Sequence, residues 1–199
     1  MNLLMLGIVL FIGVHLLPSF VSARRAVMER LGPGAYKGLF SLLSLAGLVL
    51  MVVGQYRADF QPLWQPPAWG RNAALVLLLP AFVLLAAAYM PSNIKRYTRH
   101  PMLWGVTLWS AGHLLANGDR ASLLLFGSLG AYAVFDMLSA NLRGAVKQVQ
   151  VYPRVKDGVT VAAGLLVYVV LLWLHPCLFG VAVRRLGASR LLLRSYPRQ

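Results

Sequence analysis

Two histidines fall where apolar runs leave them little water. His15 lies inside the stretch Asn2 to Ser22, and His113 inside Met102 to Ala116. A titratable ring in hydrocarbon is costly, so a residue of this kind marks a functional site by default. Neutral imidazole is a good metal ligand, and two imidazoles on different helices can close on one metal ion or one haem iron. Two more histidines stand at the ends of apolar runs: His100 in Thr98-Arg99-His100-Pro101 and His175 in Leu174-His175-Pro176. His100 reads as an interfacial cap with proline in the first helical turn, and His175 as an interfacial residue at the outer end of the last run. His100 and His113 share one helix, thirteen residues apart. At 3.6 residues per turn they point ~140° away from each other and cannot serve one face of one cofactor. The partner of His113 must come from another span, which leaves His15 or His175. His15 is ~10 Å and His113 ~16–19 Å from the cytoplasmic ends of their spans. His113 is closer in depth to His175, so depth alone does not select the pair. Asp136 is the only acid well inside an apolar run. It either accepts the second ring N–H of a ligating histidine or faces a loop arginine such as Arg143.

The elements that must position these residues are membrane spans. A span takes ~20 mostly apolar residues, and the candidates are 2–22, 38–56, 72–91, 101–117, 121–142 and 159–182. The breaks between them are Leu31-Gly32-Pro33-Gly34, the proline-rich stretch from Gln61 to Trp69, and Asn117-Gly118-Asp119. The expected fold is all-α, a polytopic membrane bundle of about six transmembrane helices, with the fourth and fifth spans forming a tight hairpin.

Composition agrees. Of 199 residues, 59% are hydrophobic and 12% charged, against about a quarter charged in soluble domains. The 19 Lys and Arg outnumber 5 Asp and Glu, but they cluster in short loops, as the positive-inside rule predicts, rather than forming a nucleic-acid footprint. No nucleic-acid partner is expected; the partner is the lipid bilayer. Arg24, Arg25, Arg30, Lys37, Lys95, Arg96, Arg99, Arg143, Lys147, Arg154 and Lys156 belong to loops on one side, and only Arg57, Arg71 and Arg120 to the other. The first side is therefore expected to be cytoplasmic and the N-terminus outside. No Lys or Arg precedes Arg24, so the first run lacks the basic start of a signal peptide and is expected to stay as a helix. The basic tail 183–199, with Arg184, Arg185, Arg190, Arg194 and Arg198, fits this orientation poorly. Either it lies along the membrane surface or the last segment does not fully cross. The single Cys177 excludes an internal disulfide, a cysteine-rich zinc site and an iron–sulfur cluster within one chain.

The segment from Arg99-His100-Pro101-Met102-Leu103-Trp104-Gly105 through His113-Leu114-Leu115-Ala116-Asn117-Gly118-Asp119 resembles the signature of the NnrU family. His15 followed by Arg24-Arg25, and the ending Leu174-His175-Pro176-Cys177-Leu178-Phe179-Gly180, resemble it too. The resemblance covers residues 1–182, the expected transmembrane domain. It implies a bacterial inner-membrane protein associated with nitrite and nitric oxide metabolism in denitrification. The family is in turn similar to 15-cis-zeta-carotene isomerase, which uses haem b with histidine ligation to isomerise a polyene. By position, that resemblance implies haem b between His15 and His113, with His100 and Ser110 as accessory residues beside the Asp136 read above, and nitric oxide or a hydrophobic small molecule as substrate. The chain departs from the isomerase at Ser110, where the enzyme has a cysteine three residues before its ligand; a hydroxyl is a poor iron ligand. The tail after residue 182 also lies outside the family pattern.

Two other classes compete. Isoprenylcysteine carboxyl methyltransferases carry a similar Arg-His-Pro, but they add a glutamate-bearing cofactor segment. The only glutamate here is Glu29, in the first loop. A non-catalytic partner in the assembly of respiratory reductases is compatible with everything in the chain.

Overall fold

Small residues decide which helices touch. In the computed structural model, which describes residues 1–179, α1 (Asn2–Leu16) lies against α2 (Val21–Tyr56) through glycines. A Cβ on Gly7 would come within 2.5 Å of the Met51 backbone nitrogen, and one on Gly54 would overlap the backbone of Leu4. The fully buried Leu4 and nearly buried Met51 fill the space between. The same device joins α3 (Gly70–Tyr89) to α5 (Pro101–Ala116), where Gly105 meets the Ala81 carbonyl and Gly112 meets Ala74. It also joins α3 to α7 (Arg154–Phe179), where Gly164 meets the Val83 backbone. Close backbone approach replaces the hydrophobic driving force that lipid cannot supply.

Helix α6 (Arg120–Leu142) packs against both α1 and α5. The packed neighbours therefore run α2, α1, α6, α5, α3, α7. A one-turn helix α4 (Ile94–Tyr97) links α3 to α5. Among the described residues the protein is all-helical, apart from one isolated bridge between Pro62 and Asp119.

Among the described residues, five helices are long and apolar enough to cross a membrane: α1 with the 3-10 turn that follows it, α2, α3, α6 and α7. The chain is a multi-pass membrane protein. The fourth expected span is α5, whose 16 residues reach ~24 Å, short of a ~30 Å hydrocarbon core. It lies between α3 and α6.

The first two spans differ from the sequence expectation. Helix α1 stops at Leu16, and Leu17–Ser19 form a 3-10 turn with proline at its start. Helix α2 begins at Val21 instead of residue 38, so the expected basic loop is itself helical. Alanine, arginine, methionine and glutamate favour helix there. The break falls at Gly32 alone, whose φ of 77° and ψ of 159° lie outside the helical region; glycine adopts such a φ without strain. Pro33 follows where a helix tolerates proline, in its first turn. The basic tail 183–199 and the end of the sixth expected span lie outside the described residues.

Side-chain clamps fix both ends. At one end, Asn117 Nδ2 donates to the His113 carbonyl (2.9 Å) and Asp119 Oδ1 caps α6 by accepting from the Ser122 amide (2.9 Å). Leu63 and Trp64 amides both donate to the Gly118 carbonyl. At the other end, Asn93 joins the start of α7. Its Nδ2 donates to Asp157 Oδ2 (2.7 Å) and to the Tyr152 carbonyl (2.8 Å), its amide donates to Asp157 Oδ1 (2.6 Å), and its Oδ1 accepts from the Tyr152 amide (2.9 Å).

Candidate functional site

His113 sits in the last turn of α5. Its Nδ1 lies 2.8 Å from the Trp109 carbonyl. A carbonyl only accepts, so Nδ1 carries the proton and Nε2 keeps its lone pair. Phe126 of α6 stacks on the ring with centroids 4.3 Å apart and planes 22° apart. Trp109 flanks it at 4.7 Å and itself meets Phe126 edge-on at 4.8 Å. His175 lies near the far end of α7, beside Phe179 at 4.9 Å.

His15 repeats the local bonding. It sits in the last turn of α1, and its Nδ1 donates to the Phe11 carbonyl at 2.7 Å, which again frees Nε2. Phe11 stacks on it at 4.0 Å, with Phe40 at 5.1 Å and Tyr132 at 6.1 Å. The Tyr132 hydroxyl donates to the His15 carbonyl (3.1 Å), tying α6 to α1.

The structure does not oppose these two rings. Helices α1 and α5 are neighbours of α6, not close neighbours of each other. On α6, Phe126 touches His113 and Tyr132 touches His15. Those contact points are ~9 Å apart along the axis and ~120° apart around it. Two imidazoles on one metal ion bring their nitrogens within roughly 4 Å, at ~2 Å per bond. The two rings thus meet α6 at separate points, and α5 and α7 are likewise neighbours of α3 rather than of each other. His113 and His175 share an end of the bundle.

Asp136 lies one turn from Tyr132 but bonds to neither histidine ring. It accepts from Ser19 Oγ (3.1 Å) and pairs with Arg143 (3.5 Å), the loop-arginine arrangement weighed above. His100 caps α5, and its Nε2 donates to Asn141 Oδ1 at 3.1 Å, which also accepts from Arg99 at 3.1 Å. Arg99-His100-Pro101 thus pins the start of α5 to the end of α6. Ser110 is 2% exposed, and its Oγ has no hydrogen-bond partner. It packs on Gly130 of α6, one turn before His113 and on the same side of α5. Among the described residues no group of three or more His, Cys, Asp and Glu side chains is arranged to hold a metal ion.

Sequence reasoning missed the Asn93–Asp157 clamp, because nothing local pairs residues 64 apart. It read Asn117-Gly118-Asp119 as a break and as part of the family signature but not as a cap, although an asparagine and an aspartate flanking a glycine are capping residues.

A family model described as NnrU protein matches residues 3–183. The chain belongs to the NnrU family. All four histidines, Ser110 and Asp136 lie within the matched region, and the match ends where the arginine-rich tail begins. No curated protein and no solved structure matches the chain.

Proposed function

We propose that this NnrU-family membrane protein binds haem b at its outer end, with His113 as the axial ligand and His175 as the second. The observation that carries the reading is the His113 ring. It is held by one backbone carbonyl, walled by two aromatic side chains, and left with a bare Nε2 at the end of the bundle toward which α7 carries His175. The carbonyl fixes which nitrogen is available and how the ring is turned. Trp109 and Phe126 cover two sides of the ring. Haem bound there supplies an iron that exchanges electrons or takes up nitric oxide. The family membership makes nitrite and nitric oxide metabolism the natural setting, in a bacterial inner membrane with the N-terminus outside. The unpartnered Ser110 offers a hydroxyl where the carotene isomerase has a thiol, which favours electron transfer or nitric oxide binding over polyene isomerisation.

The test is a visible spectrum of the protein purified in mild detergent after expression with haem supplied. A Soret band is expected, lost in His113→Ala and lost or shifted in His175→Ala. The family resemblance favours His15 as the second ligand. A His15→Ala protein with a normal bis-histidine spectrum rules that out, and a lost band in this variant alone restores it. No Soret absorbance in the intact protein ends the haem reading.

A further inference from the structure

The end of the molecule that carries His15 holds an open groove with no part in the haem reading. Pro18, Arg24, Tyr36, Lys37, Phe40 and Ser41 line it. Arg24 and Ser41 are seventeen residues apart, ~25 Å in an unbroken helix. They reach one groove because Gly32 breaks α2 between them. Two lining residues are cations and none is an acid. Tyr36 is buried, and Phe40 lies 6.2 Å from it and 5.1 Å from His15, ring centre to ring centre. The groove therefore passes from a cationic rim to an aromatic floor, at the bundle end where the basic loops gather. A rim of this charge over an apolar floor, at a membrane boundary, complements an anionic head group attached to an acyl chain.

We propose that this groove binds an anionic phospholipid, with its phosphate held by Arg24 and Lys37 and the start of its acyl chain on Tyr36 and Phe40. The Gly32 break is the positioning device, since it carries Arg24 to the groove.

The experiment is native mass spectrometry of the full chain in detergent, titrated with phosphatidylglycerol and, in parallel, phosphatidylcholine. Phosphatidylglycerol is expected to bind at least tenfold more tightly. Arg24→Gln and Lys37→Gln should each weaken it about fivefold, and the double variant about 25-fold, following the usual contribution of a basic residue at an anionic surface. Arg57→Gln, at the opposite end, should leave binding unchanged. Gly32→Ala keeps both charges but strains the backbone, and should lose binding like the double variant. The charge-preserving pair Arg24→Lys with Lys37→Arg should retain it within about twofold of the intact protein, which separates lost recognition from lost folding. Equal binding of the two lipids overturns the proposal, as does full retention by the double variant. Displacement of phosphatidylglycerol by millimolar inorganic phosphate also overturns it, because the site then belongs to a free anion.

Discussion

His15 and His113 have the same local chemistry and opposite surroundings. Each closes a last helical turn and donates Nδ1–H to the carbonyl four residues earlier. Around His113 the neighbours are Trp109 and Phe126. Around His15 the next layer is the Ser19–Asp136–Arg143 cluster and a cationic groove. The helix backbone alone prepares a ring with a free Nε2. What the ring can then do depends on the helices packed beside it.

The strongest way to break this comparison is to exchange the roles. His113→Ala should abolish the Soret band of the haem-loaded protein, while His15→Ala should shift it little; the reverse pattern would move the ligand site to the other end. Next in size is Gly47→Leu, which forces a side chain against the backbone of Phe11, the residue stacked on His15. Overpacking of this kind costs about 1–3 kcal/mol, and it should disturb the His15 end alone. Intact haem absorbance with a lowered melting temperature would bear this out, whereas loss of haem would couple the two ends. Asn93→Ala leaves the Asp157 carboxylate and the Tyr152 amide without their partners, a loss of about 1–3 kcal/mol. Limited proteolysis should then cut faster within 144–153, with the His113 surroundings unchanged; an unchanged cleavage rate would mean the clamp does not hold that loop. The smallest effect belongs to Asp136→Asn. Its pair with Arg143 is partly exposed, at 32% and 23% for the arginine and aspartate side chains, and such pairs contribute about 0–1 kcal/mol. Haem retention should be unchanged, and a tenfold loss would make Asp136 a partner of a ligand after all.

Much of the fold was legible because apolar runs and breaks are properties of the local chain. Helices α3, α5 and α6 begin and end within about two residues of the expected spans. The error at 23–37 has a local cause as well: an arginine-rich stretch was taken for loop, although its residues favour helix and only Gly32 needs a non-helical φ. The candidate site was legible residue by residue but not as a pair. Sequence gives the angle between two positions on one helix, but His100 proves to be the non-helical cap of α5, so that angle does not apply to it. Sequence gives no angle between helices, so it could not place α6 between α1 and α5, nor bring Asn93 to Asp157.

The short length of α5 bears on how the protein is made. A 16-residue helix is poorly matched to the bilayer on its own, and only Asn117-Gly118-Asp119 separates it from α6. The two therefore enter the membrane together, as one hairpin, after α1, α2 and α3 have already emerged from the ribosome. Because α6 ends up between α1 and α5, that late hairpin must slot against an earlier pair rather than add to the growing edge. The first two helices wait with one flank open until most of the chain has been synthesised.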